Sequence, residues 1–177
     1  MRNRKFAPMA EARRTRSPIS YPTQAHVFFR DGWLCHVCRR PTIFPLSMKF
    51  AARMVEAALP GVSLAWWNPQ WRRDAAPLLD ELAASIDHVE AHSKGGSNDP
   101  ANLATICARC NARKSAKGQA AFVTELNPWR VKGRHGEPRD WDGLSSLYVA
   151  LAGQSPANLT AIERKWLDAL RGHLSDG

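Results

Sequence analysis

The four cysteines of this 177-residue chain fall into two Cys-x-x-Cys pairs, Cys35/Cys38 and Cys107/Cys110, with none left over. In a reducing compartment thiols stay free, so this spacing reads as metal ligation rather than as disulfides. Two such pairs are the ligand set of a tetrahedral zinc ion. Four thiolates close its coordination sphere and leave no position for water or substrate. The zinc expected here is therefore structural, and the fold has to bring two distant segments together around it.

Charge narrows the partners. The formal net charge of +9 and the pI near 10.0 point to a polyanion, because Lys and Arg neutralise phosphates and release condensed counterions. Nucleic acid is the commonest such partner, and a merely basic soluble or ribosomal protein is the alternative that charge alone leaves open. No run of about 18 apolar residues occurs, which argues against a membrane-spanning helix, and the N-terminus lacks the apolar core of a secretory signal. The expected address is cytoplasmic, with no membrane partner. The oligomeric state is not legible.

In chain order, residues 1–22 read as a basic, disordered arm, carrying Arg2, Arg4, Lys5, Arg13, Arg14 and Arg16 against Glu11. It either lies along a phosphate backbone or is a solvated tail. From Thr23 a short helix with Val27 and Phe28 on its buried side breaks at Asp31-Gly32 and enters the first cysteine pair. His26 reads as helix surface and His36 as a solvent-side residue of the knuckle. Residues 46–59 space Leu46, Phe50, Met54 and Leu59 as an amphipathic helix ended by Pro60-Gly61. Trp66, Trp67 and Trp71 beside Arg72 and Arg73 can stack on bases or anchor the core, with core packing preferred. A second short helix starts at Pro77.

Residues 84–89 then read as a strand, 93–100 as a polar loop, 102–106 as a second strand, and Cys110 onward as a helix. Beyond residue 118, residues 127–141 should be irregular. Residues 141–152 should be buried and capped by Gly153, and a last helix should start at Ser155-Pro156 with Leu159, Ile162, Trp166, Leu167 and Leu170 on one face.

Residues 23–118 resemble the HNH endonucleases of the ββα-metal, or His-Me finger, group. The marks are R-D-G-x-x-C-x-x-C at 30–38, D-H-V at 87–89, S-K-G-G at 93–96, N-L at 102–103 and C-A-R-C-N-A-R-K at 107–114. The resemblance implies an α+β fold. A small ββα-metal core is stapled by a four-cysteine zinc site, with a helical, Trp-rich insertion at about 41–84 and a mainly helical C-terminal extension over 119–177.

Phosphodiester hydrolysis needs a base for water and a cation for the charge that develops on phosphate and leaving oxygen. A neutral imidazole suits the first role and a carboxylate is a hard ligand for the second. Adjacent strand residues point to opposite faces, so Asp87 and His88 serve one site only if the backbone re-aims one of them. By resemblance, Asp87 ligates the metal, His88 is the general base, Asn102 orients it, and Asn111 carries the second metal contact. The third position holds Asn111 rather than histidine, and its amide oxygen favours Mg²⁺ or Mn²⁺ over softer metals. Ala91 replaces a proline common in the family, and His92 beside it reads as a loop residue. Arg109, Arg113, Lys114 and Lys117 are expected to contact phosphates or to form a solvated face.

The expected activity is metal-dependent DNA hydrolysis. A zinc-stabilised nucleic-acid-binding module without catalysis, and a nuclease directed at RNA, are the competing readings.

Overall fold

The computed structural model describes residues 17–62, 77–116 and 141–174. The basic arm up to Arg16, Trp66, Trp67 and Trp71 with Arg72 and Arg73, Lys117 and the segment before Trp141 expected to be irregular lie outside the described residues.

Helix α1 (Tyr21–Arg30) opens on an N-cap, Ser20 Oγ accepting from the Thr23 amide at 3.2 Å, and buries Val27 and Phe28 as expected, with Ala25 beside them. It ends where Gly32 and Trp33 both take positive φ, 58° and 56°. The turn folds Trp33 back so that its ring stacks on Phe28 with centroids 4.8 Å apart. The same turn grips the sheet that follows later in the chain. Arg30 donates to the carbonyls of Pro100 and Leu103, each at 2.6 Å, and Asp31 Oδ2 accepts from the Thr105 amide at 2.7 Å. The R-D-G stretch is thus a clamp as well as a turn.

Helix α2 (Pro45–Ala58) turns Phe50 and Ala52 into the core, while Leu59, expected on the same face, lies past its end and is 57% exposed. Helix α3 (Pro77–Leu82) precedes strand β1 (Ala84–His88), which pairs antiparallel with β2 (Leu103–Cys107) in the register Ala84↔Cys107 to His88↔Leu103. Asn102, read as the first residue of the second strand, instead closes a 3₁₀ turn over Pro100–Asn102. A two-stranded ribbon is marginal in isolation, and here every residue of β2 is buried. Helix α4 (Ala108–Ala116) follows β2 without a break, completing the β-loop-β-helix order read from the sequence.

The main core joins this ribbon to the chain's other segments. Trp33, Phe44 and Phe50 pack with Tyr148, Ala152, Trp166, Leu167 and Leu170, which come from α5 (Ser145–Gln154) and α6 (Ala161–Leu174). Gly143, at φ 66°, abuts the Trp33 indole, and a methyl group there would collide with the ring.

Two helix limits differ from the sequence reading. Gly153 lies inside α5, whose C-cap is Ser155. Pro156 starts only a 3₁₀ turn (Pro156–Asn158), and the last helix begins at Ala161. Its start is fixed by a reciprocal capping box: Glu163 Oε2 accepts from the Thr160 amide at 2.8 Å, and Thr160 Oγ1 accepts from the Glu163 amide at 3.2 Å. Ile162 accordingly falls off the apolar face, 56% exposed, while Trp166, Leu167 and Leu170 are buried.

Candidate functional site and metal centre

The four-cysteine cluster is held from two sides. On one, Cys107 ends β2 and Cys110 lies in the first turn of α4. On the other, the Cys35–Cys38 knuckle docks along the free edge of β2, with the His36 amide donating to the Thr105 carbonyl at 2.8 Å. The knuckle closes on itself through Cys35 N–H to Arg40 O at 3.0 Å and Arg39 N–H to Cys35 O at 2.8 Å. The four Sγ atoms lie within 4.8 Å of one another, with Cys38 and Cys107 at 3.9 Å. That matches the roughly 3.8 Å edge of a tetrahedron built on metal–sulfur bonds of about 2.3 Å.

Crowding four sulfurs splits their proton affinities. Hydrogen bonds from Cys107 first, then Cys110 and Cys38, hold the Cys35 thiol far below its ordinary range, while Cys107 and Cys35 push Cys110 upward. Cys38 falls to about 7, chiefly through Cys107. A divalent cation relieves this competition by taking all four as thiolates.

A second centre lies at the far end of β1. A cleft of about 610 Å³ is bordered by Asp87, His88, His92, Asn98, Asn111 and Lys114, among others, with Ser17 and Pro18 on one wall. Asp87 and His88 both face it although they are neighbours on one strand; His88 is the last paired residue, where the chain leaves β1.

Asp87 is buried, 8% exposed, and carries two donors. Lys114 Nζ sits in the fork of the carboxylate, 2.6 Å from Oδ1 and 2.7 Å from Oδ2, and also reaches the His88 carbonyl at 3.2 Å. His36 Nε2 lies 3.0 Å from Oδ2. Burial alone would raise the Asp87 carboxyl, but the hydrogen bonds from His36 and Lys114 and the ammonium charge outweigh it, so the group lies below its ordinary value. His36 is solvent-exposed as expected, yet sequence reasoning missed its reach to Asp87.

His88 Nε2 is 2.9 Å from Asn98 Oδ1, and Asn98 Nδ2 donates to the Ser17 carbonyl at 2.9 Å. Ser17 can only accept through that oxygen, so the amide nitrogen faces it and Oδ1 faces the histidine. Nε2 therefore carries the proton of a neutral His88 ring, and Nδ1 keeps a lone pair. Asn98 was passed over in the sequence as part of a polar loop.

Asn102 makes no hydrogen bond to His88. Its side chain accepts from the Glu90 amide at 2.8 Å and donates to the carbonyls of Glu90 at 3.2 Å and Ser97 at 2.9 Å, lacing together the two ends of the loop between the strands. Asn111 borders the cleft from α4, with Nδ2 3.4 Å from Ser85 Oγ. His92 packs edge-on against His88, centroids 6.1 Å apart. Of the basic residues expected at phosphates, Arg109 lies 3.4 Å from Glu81 and Lys114 pairs with Asp87.

Comparison with known proteins bears on this geometry. The family model described as HNH endonuclease matches residues 76–117. A glycine–tRNA ligase beta subunit from Streptococcus equi subsp. zooepidemicus (strain H70) is 31% identical over 117 residues, covering 60% of this chain and 17% of that protein. The chain thus spans about a sixth of that relative's length. No solved structure matches. With β1, β2, α4 and one cysteine pair inside it, the segment at residues 76–117 is the part of the chain that matches the HNH endonuclease model, and Cys107 and Cys110 meet Cys35 and Cys38 in a cluster placed to hold a metal ion.

Proposed function

We propose that this protein is a metal-dependent endonuclease that hydrolyses phosphodiester bonds in DNA. The observation that carries the reading is the convergence of Asp87, His88, Asn111 and Lys114 on one cleft, with the proton of His88 directed to Asn98. The net charge of +9 favours a polyanionic substrate.

His88 is the general base. Its Nδ1 takes a proton from water as the water attacks phosphorus, and Asn98 holds the ring in the tautomer that leaves this nitrogen bare. Asn102 keeps the loop bearing Asn98 closed against the strand end, so it orients the base through the loop. Asp87 and Asn111 offer hard oxygen donors from β1 and α4 to one cleft, a donor set that fits Mg²⁺ or Mn²⁺. The seat of the Lys114 ammonium between both carboxylate oxygens is consistent with a position that accepts positive charge. A divalent cation bound there supplies Lewis-acid stabilisation of the phosphate and the departing 3′-oxygen. Resemblance to the family implies 5′-phosphate and 3′-hydroxyl ends. The four cysteines hold a structural Zn²⁺, and Arg109 and Arg113 on α4 contact phosphates, as does Lys117 by resemblance to the family.

Duplex plasmid, single-stranded DNA and RNA, each incubated with purified protein and Mg²⁺ or Mn²⁺, distinguish the alternatives. DNA cleavage supports the proposal. Cleavage confined to RNA replaces the substrate, and salt-sensitive binding without cleavage under either ion leaves a binding module.

A further inference from the structure

Asp87 holds two partners that differ in kind. Lys114 is a charged donor spread over both carboxylate oxygens from the flexible end of a long side chain. His36 is a single donor on Oδ2 at 3.0 Å, and its own backbone is pinned to β2 through Thr105 and flanked by the cysteines of the metal knuckle. An ionised carboxylate only accepts, so His36 Nε2 carries the proton of this bond.

The two respond oppositely to a cation. A divalent ion at the Asp87 oxygens meets the Lys114 ammonium as a like charge within a few ångströms, and both cannot occupy the carboxylate fork. His36 touches Oδ2 alone, so its seat differs from the one that Lys114 holds across both oxygens. His36 is not among the residues that border that cleft, which suits a group acting on Asp87 from behind.

We propose that Lys114 is the exchangeable counter-ion of Asp87, displaced when the divalent cation binds, and that His36 is the fixed positioning residue, coupling the four-cysteine knuckle to the carboxylate. The inference rests on Asp87 being the cation ligand of the proposed nuclease site. Cation affinity is therefore set by a competitor on α4 and a brace on the knuckle. Neither residue acts on the substrate in this role.

The test is Mn²⁺ binding to the zinc-loaded, full-length protein, followed by calorimetry and electron paramagnetic resonance, with zinc content checked for each variant. Lys114→Met should tighten Mn²⁺ binding about tenfold by removing the competitor. His36→Ala should weaken it about 10- to 100-fold, as loss of a partner hydrogen-bonded to a metal ligand does. His36→Gln, which can still donate to Oδ2, should recover most of that loss at unchanged zinc content. Unchanged or weaker binding in Lys114→Met overturns the exchange. Unchanged binding in His36→Ala, or failure of His36→Gln to recover where His36→Ala is impaired, overturns the brace. A histidine nitrogen coupling to Mn²⁺ that vanishes in His36→Ala would make His36 a ligand instead. Asp87→Ala separates the layers: if it binds Mn²⁺ like the wild type, the proposed cation site itself is wrong, whatever the other variants do.

Discussion

Asn98 Oδ1 lies 2.9 Å from His88 Nε2, and the same amide is oriented by the Ser17 carbonyl on its other side. This fixes which nitrogen of His88 is bare. Asn98→Ala should lower kcat about 10- to 100-fold, part of the 10²–10⁴ that a positioned base contributes. Asn98→Asp still accepts from Nε2–H and should retain more activity than the alanine variant. Steady-state kinetics on plasmid DNA checks both, and equal rates for all three proteins would remove Asn98 from the mechanism.

The loop that carries Asn98 is closed by contacts that leave no room for a side chain at Gly96. A methyl group there would collide with the Glu90 carbonyl oxygen and press on the Asn102 amide. Gly96→Ala should cost about 1–3 kcal/mol of stability and lower activity as well. Asn102→Ala, which removes three hydrogen bonds from the same loop, should act in the same direction. Thermal unfolding alongside cleavage assays measures both effects.

Asn111 follows Cys110 directly on α4. Cys110→Ser should lose bound zinc, lower Tm by roughly 10 °C and reduce cleavage by displacing Asn111, although zinc never meets the substrate. Metal content by mass spectrometry and a melting curve test this. A zinc-free variant that melts and cleaves like the wild type would contradict a structural role for the four cysteines.

Glu163 bonds to Arg53 at 2.8 Å and caps α6 with Thr160. Burial raises its carboxyl, but the Thr160 amide and the Arg53 guanidinium more than offset this, so the folded-state value is depressed. A depressed carboxylate contributes stability that is complete above its unfolded value, about 4.3, and is lost as pH falls through the folded one. Glu163→Gln should therefore cost about 1–2 kcal/mol at pH 7. The gap to the wild type should narrow in acid, as read from Tm against pH.

The parts of the site that were readable in the sequence are those written as local spacing. The Cys-x-x-Cys pairs and the strand-loop-strand-helix order follow from residues a few positions apart, while Asp87, His88 and Asn111, singled out by family resemblance, all border the cleft. His36 on Asp87 and Arg30 on Leu103 join segments 51 and 73 positions apart, and no periodicity marks them. Asn98 was hidden for another reason: a polar loop gives no sign of which amide faces inward. At the last helix the sequence reading takes Ser155-Pro156 as the cap, and Thr160-x-x-Glu163 is a second one that it misses. The structure uses the second, because buried Leu159 is extended and interrupts the chain between them. The fold's core was the least legible part, since Trp33, Phe44 and Trp166 meet only once the C-terminal helices fold back onto the knuckle side.

The most direct measurement is plasmid cleavage in Mg²⁺ or Mn²⁺ by wild-type protein and His88→Ala, each shown by circular dichroism and zinc content to be folded and metal-loaded. The wild type should nick or cut the DNA, and His88→Ala should be at least about 100-fold slower. Equal cleavage by the two proteins would contradict His88 as the general base.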